Sequence, residues 1–220
     1  LPSQSGYGLR LRDMRDNTGS GPGITTGHTL TAWCIRETFR ELTRLRHAEA
    51  ASVRVAVVGA AGSTGSLTAR LIHGLTKSKL RVDLHLVDKQ LPETLASELG
   101  ATASTEMASL RDCDYIIVVT NAPKAIIKPE HVQPGAVIID DSQPRNTSSE
   151  LVGHAFVVDV LARVDGLKVN FDFGFDTTDP AVTFSCLAET ILLGLVGHDG
   201  DFSIGKGASL DLVEQVEAYL

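Results

Sequence analysis

Cysteine is scarce in this 220-residue chain, with three residues, odd in number and widely spaced. That excludes a disulfide framework and a cysteine zinc site, and it suits a reducing cytosol, the compartment expected here. Long apolar runs are missing as well. Apolar-rich stretches such as 53–59 and 115–119 are far too short to cross a bilayer, so no membrane span is expected. No secretory leader is expected either, because residues 1–20 are polar and rich in Gly and Arg. Positive charge is not in excess. Lys and Arg number 20 against 27 Asp and Glu, a formal charge of −7, which argues against nucleic acid as the main partner. None of the seven His is paired at metal-ligand spacing, so no metal is expected.

What is present is the composition of a soluble globular protein, 43% hydrophobic and 21% charged. The length allows one domain, or one domain with an appended helical layer. Charge is uneven along the chain. Residues 1–50 carry seven Arg against five Asp and Glu, whereas 51–220 are strongly acidic. The basic excess at the front reads as a solvated helix face rather than a docking surface. The first residue is Leu, so the chain is expected to be a piece of something longer. Residues 1–24, Gly- and Pro-rich with little apolar periodicity, read as a linker or the end of an upstream domain.

Apolar residues at three- to five-residue spacing predict a bridging helix over 29–49, within a segment 25–50. The pattern then switches. Residues 53–58 (VRVAVV) read as a strand buried on both faces, and a glycine turn and a helix over 66–76 follow. Strands are expected at 81–88, 115–120, 136–140 and, more weakly, 155–158, with short helices from 92 and 129 between them. This alternation predicts an α/β fold, a doubly wound, Rossmann-like parallel sheet over 51–175 with flanking helices before and after it. Helices are expected again over 181–196, opened by Asp179-Pro180, and over 210–219, in a C-terminal segment 176–220.

The turn Gly59–Gly65 (GAAGSTG) sits between a strand and a helix. Gly59, Gly62 and Gly65 are three apart, a G-x-x-G-x-x-G variant of the dinucleotide fingerprint. Glycine permits the tight turn and a close backbone approach to a pyrophosphate, and the helix start offers N–H groups and partial positive charge. Ser63 and Thr64 add hydroxyl donors. No Gly-Lys-Ser/Thr closes the turn, which excludes a P-loop. Asp88 ends the second strand, near the spacing of a ribose-binding carboxylate. Thr120 and Asn121, at the end of strand 115–120, complete the candidate cofactor-binding set. A nicotinamide cofactor, NAD(P)H, is expected.

Several short motifs, in order along residues 25–220, resemble the aldehyde-forming long-chain acyl-(acyl carrier protein) reductases. Thr25-Thr26-Gly27-His28-Thr29 resembles that family's Thr-Thr-Gly-Asn-Thr, and Val55–Gly65 its glycine turn. Ala122-Pro123-Lys124 resembles its Met-Pro-Lys. Ile139-Asp140 followed by Pro144-Arg145-Asn146 resembles its Ile-Asp with Pro-Lys-Asn. Phe184-Ser185-Cys186-Leu187-Ala188-Glu189 resembles its Phe-Ala-Cys-Phe-Ala-Glu. The resemblance implies a nicotinamide-dependent reductase that takes an acyl group from acyl carrier protein or coenzyme A onto a cysteine, Cys186 by position, and releases an aldehyde. Three departures stand out. His28 replaces Asn, the upstream part of the family's chain lies outside this sequence, and Asp88 stands where the family prefers NADPH. A carboxylate ~4 Å from a 2′-phosphate, at an effective dielectric of ~20, costs about 4 kcal/mol before screening. Asp88 therefore favours NADH while the resemblance favours NADPH, with Lys89 able to soften the repulsion.

Thioester reduction needs a populated thiolate, oxyanion donors and exclusion of water. The helix expected over 181–196 puts Cys186 in its middle, out of reach of the helix dipole. A cation is then needed, and Lys124 is the candidate. Cys34 reads as structural beside Trp33. So does Cys113, between Asp112 and Asp114, which raise a thiol pKa. His154 and His198 read as solvated loop residues. Two other readings share the same fold: a dehydrogenase of a small metabolite with a structural Cys186, and a non-catalytic nucleotide-binding module.

Overall fold

Runs of β-branched residues bounded by turns become the buried strands of a sheet, and periodic segments become its helices. A computed structural model describes residues 4–18, 21–75, 80–168, 177–205 and 207–220. In chain order the elements are α1 (Gln4–Thr18), α2 (His28–Arg46), β1 (Ser52–Val58), α3 (Ser63–Gly74), β2 (Arg81–Val87), α4 (Glu93–Leu99) and β3 (Thr102–Ser104). There follow β4 (Tyr115–Val118), β5 (Val137–Asp140), β6 (Phe156–Asp159), β7 (Leu161–Arg163), β8 (Val182–Phe184), α5 (Ser185–Leu195) and α6 (Leu210–Tyr219). Single 3-10 turns lie at Met107–Asp112, Pro129–His131 and Ser149–Leu151. The chain divides into two compact units, residues 35–159 and residues 1–34 with 160–220.

The unit 35–159 holds six strands in the order β3-β2-β1-β4-β5-β6, every pairing parallel. This is the doubly wound, Rossmann-like arrangement expected from the sequence. Strand order reverses between β1 and β4, and such sheets bind ligands at that point, beyond the strand C-termini. β4 and β5 are buried at every position. Val58, Val87, Ile116, Val118 and Ile138 pack with Leu110, Ile127 and Leu151 from the connections into one core cluster. On α2, Phe39 meets Tyr115 edge to face at 5.0 Å, and His47 Nδ1 lies 2.8 Å from the Tyr115 hydroxyl. Burial pushes the Tyr115 phenol up to about 12.

β1 passes into α3 through a turn in which two backbones touch. A Cβ added at Gly65 would lie 2.0 Å from the Gly59 carbonyl oxygen, whereas one at Gly62 would stand 3.2 Å from the same atom. Gly65 thus fixes how closely α3 approaches the strand end, and at Gly62 the contact is tight but needs a shift of only a few tenths of an ångström.

In the unit of residues 1–34 and 160–220, β7 and β8 pair as an antiparallel ladder, Leu161 opposite Phe184. The stretch read as linker contains α1. Arg15 explains part of this, since its guanidinium makes a bidentate pair with Asp201, Nη1–Oδ1 2.5 Å and Nη2–Oδ2 3.0 Å. Asp201 Oδ1 also accepts from the Ile24 N–H at 3.0 Å. The arginine holds the Asp201 carboxyl below the usual carboxylate range. The helix expected over 181–196 is also corrected. Val182–Phe184 is strand, and Asp179 Oδ1 accepts from the Ala181 N–H in a turn instead of capping a helix. Residues 169–175 of the expected sheet domain lie outside the described residues. No helix among the described residues is long and apolar enough to cross a membrane.

Substituting Gly65 by Ala is expected to lower stability by about 3 kcal/mol, since the clashing atom is backbone and must shift. Thermal melting checks this. An unchanged midpoint would contradict the close approach of α3 to the turn.

Candidate functional site

The glycine turn leaves the start of α3 open. Gly59 takes φ +91°, and its N–H and that of Ala60 donate to the Val87 carbonyl at 2.9 and 3.3 Å, tying the turn to the end of β2. A Cβ at Gly59 would lie 2.6 Å from the Val119 carbonyl oxygen, so the turn also presses on the chain leaving β4. Gly62 stands at the N-cap of α3 in extended conformation, and no side chain caps that end. Ala61 and Gly62 are exposed, and Ser63 and Thr64 are half-buried. A helix start without a side-chain cap offers N–H donors and partial positive charge to an anion. Asp88 follows β2, and its Oδ2 accepts from the Ala61 N–H at 2.9 Å. The structure therefore gathers Gly59, Gly62, Ser63, Thr64, Gly65 and Asp88 at one lip of the sheet.

Thr120 lies at the adjacent strand end. Its N–H donates to Ser142 Oγ at 3.3 Å and its hydroxyl accepts from the Ala122 N–H at 3.0 Å. Asn121 and the Lys124 side chain are exposed. Behind them lies a buried acidic side chain, Asp140, for which no role was legible in the sequence. Asp140 accepts from the N–H groups of Ser142, Asn146 and Thr147, each at 3.0 Å, and from the Thr147 hydroxyl at 2.9 Å. Asn146 Nδ2 in turn donates to the carbonyls of Ala122, Pro144 and Lys124. The motifs around 122–124 and 139–146 are thus one hydrogen-bonded frame holding two loops at the C-terminal edge.

Cys186 belongs to the other unit. It occupies the first turn of α5, second residue from its start, not the middle of a helix. The apolar spacing of 182, 187 and 191 runs across a strand–helix junction, which sequence periodicity cannot see. The correction changes the chemistry, because the start of a helix favours negative charge and needs no cation to do so. Lys124, the cation expected to lower the thiol pKa, belongs to the sheet unit.

Gly27 packs directly on Cys186. It takes φ +76°, and a Cβ there would lie 2.3 Å from the Cys186 Cβ and 2.4 Å from its Cα. One turn along α5 the fully buried Glu189 accepts from the Leu30 N–H at 2.6 Å, and the Thr25 hydroxyl donates to its other oxygen. Thr25 Oγ1 also accepts from the Gly27 N–H at 3.3 Å. Burial raises the Glu189 pKa, and the donors at the start of α2 work in the opposite direction. The motifs Thr25–Thr29 and Phe184–Glu189, far apart in sequence, thus interlock in the fold. His28 is buried, its Nδ1 3.0 Å from the Thr26 hydroxyl, and burial lowers its pKa.

The remaining candidates are structural. Cys34 and Cys113 are buried, whereas Cys186 is half-buried. Burial pushes the Cys113 thiol up to about 12, with Asp114 and Asp112 contributing less. His154 Nε2 meets the Val132 carbonyl at 3.0 Å and His198 Nδ1 the Tyr219 hydroxyl at 3.3 Å, so neither is a solvated loop residue.

No family model matches the chain. It is 29% identical to a long-chain acyl-(acyl carrier protein) reductase of Synechococcus elongatus, over 94% of this chain and 62% of that protein. It is 26% identical to the aminotransferase PigE of a Serratia species, over 88% of this chain and 24% of that protein. The chain thus spans less than two thirds of either relative. The first is the kind of reductase that the sequence motifs resemble. Among solved structures, a phosphoglycerate oxidoreductase from Rhizobium etli is 16% identical, with a TM-score of 0.49 over 88% of this chain and 62% of that one.

Two outcomes are expected from this geometry. At pH 8 Cys186 should alkylate at least about tenfold faster than Cys34 or Cys113, read by peptide mass after timed iodoacetamide labelling. Glu189→Ala, which strips the donors at the start of α2 of their acceptor, should cost about 3 kcal/mol in denaturant unfolding. Equal labelling of all three thiols, or an unchanged unfolding midpoint, would contradict the arrangement.

Proposed function

We propose that this chain is the cofactor-binding and acyl-accepting part of a reductase that converts an acyl thioester to an aldehyde with NAD(P)H. The observation that carries the reading is the half-buried Cys186 in the first turn of α5, with Gly27 packed against it. Similarity to the Synechococcus elongatus reductase supports it.

The glycine turn fits a dinucleotide. Its exposed Ala61–Gly62 edge and the start of α3, without a side-chain cap, suit a pyrophosphate, and Asp88 suits a ribose diol. When bound, the reduced nicotinamide supplies a hydride equivalent to the acyl carbon. The chain's own part begins with the Cys186 thiolate, which attacks the thioester carbonyl. The N–H groups at the start of α5 favour the oxyanion of the resulting tetrahedral adduct. The adduct collapses, the bond to the carrier sulfur breaks, and the carrier leaves as a thiolate that takes a proton. The acyl group is now a thioester of Cys186. After reduction Cys186 departs as thiolate and the aldehyde is released. Thr25, Gly27 and Glu189 keep the thiol in place throughout. The carrier is an acyl carrier protein or coenzyme A, and no nucleic acid or membrane span enters.

Asp88 favours NADH over NADPH, since a carboxylate accepts from ribose hydroxyls and repels a 2′-phosphate. Calorimetric titration with both cofactors tests this, and tighter NADPH binding would show that Asp88 does not face the ribose. Gly62→Val, at the exposed start of α3, should weaken cofactor binding by about a hundredfold and lower the melting midpoint less than Gly65→Ala does. Cys186→Ala should abolish thioester-dependent NAD(P)H oxidation and leave cofactor affinity intact. Full turnover in Cys186→Ala would move the chain to the small-metabolite dehydrogenase reading.

A further inference from the structure

Two consecutive carboxyl groups follow one another at the end of β5, and the fold commits only the first. Asp140 is buried and accepts four hydrogen bonds. Asp141 continues the ladder for one more residue, its N–H donating to the Val118 carbonyl at 3.0 Å. Along an extended chain successive side chains leave opposite faces, so Asp141 projects away from the frame that Asp140 organises. The residue as a whole is half-buried while its carboxyl is desolvated, and no group among the described residues hydrogen-bonds to that carboxyl. A second uncommitted atom lies in the adjoining loop, because the Oδ1 of fully buried Asn146 has no partner among the described residues. An acid taken out of water without a donor is costly as a carboxylate, and it is better placed as a neutral O–H donor facing an acceptor.

Its place in the sheet says which acceptor. The glycine turn after β1 and Asp88 after β2 assign the pyrophosphate and one ribose to the β1–β3 side. Strand order reverses between β1 and β4, so the second nucleotide of a dinucleotide lies over the β4–β6 side. Asp141 ends the middle strand of that side. We propose that Asp141 is a cofactor-binding residue whose carboxyl donates a hydrogen bond to the carboxamide oxygen of a nicotinamide ring bound there. This rests on the dinucleotide reading above.

Burial, and secondarily the charge on Asp140, raises the Asp141 pKa well above the usual carboxylate range, the direction that favours the protonated donor. The charged groups to consider are few. Asp140 accepts four hydrogen bonds, and Asp159, its register partner on β6, is paired with Arg145. No cation acts on Asp141 among the described residues.

The test compares NADH with ADP-ribose, which carries the same pyrophosphate and adenosine but no nicotinamide, by calorimetric titration of the whole chain. Asp141→Ala should weaken NADH binding about tenfold and leave ADP-ribose binding unchanged. Asp141→Asn, a permanently neutral donor, should keep NADH affinity and remove its pH dependence, whereas wild-type affinity should fall as pH rises and Asp141 ionises. Equal loss of both ligands, or no loss of either, would overturn the assignment while leaving the dinucleotide site standing. Failure of the wild-type chain to bind either ligand would instead overturn the dinucleotide reading, and this proposal with it.

Discussion

Among the described residues, no basic side chain pairs with the carboxyl group of Glu189. Its partners are the Leu30 N–H, further N–H groups at the start of α2, and the Thr25 hydroxyl. The first turn of a helix has N–H groups with no partner in the helix, and here a side chain from a different helix fills that role. The consequence is geometric. With Thr25 and Leu30 both tied to α5, the residues between them must cross α5 closely, and only glycine fits where Gly27 lies on Cys186. The nucleophile candidate is thus fixed by an interaction one turn away.

The sheet unit repeats the device. Asp140, also buried, is saturated by three N–H groups and a hydroxyl of the loop that follows β5. Through Asn146 that loop immobilises the one after β4. Each unit thus holds loops with a buried acidic side chain that accepts from backbone. Such a carboxylate is costly to strand, so removing its donors is felt more strongly than removing a surface ion pair. The glycine turn works through close contact instead, with Gly59 and Gly65 letting two backbones meet.

How much of this was legible follows from the range of each interaction. Residues 53–58, 115–118 and 137–140 are unbroken or nearly unbroken apolar runs, and a strand buried on both faces leaves that mark in the sequence. The glycine turn is local and was equally plain. The helix α1 was not, because its residues carry no apolar stripe, and Arg15 finds Asp201 across 186 positions of sequence. The start of α5 was misplaced because Val182–Phe184 are strand only through pairing with Leu161–Arg163. The roles of Glu189 and Asp140 depend on donors brought by folding, so neither residue type nor spacing could announce them.

In the proposed reaction Cys186 accepts the acyl group. Incubating the chain with an acyl thioester in the absence of cofactor, followed by peptide mass analysis, reads that step alone. One acyl adduct is expected, on the peptide carrying Cys186, lost in Cys186→Ala. An adduct on Cys34 or Cys113 instead, or none on any cysteine, would contradict it.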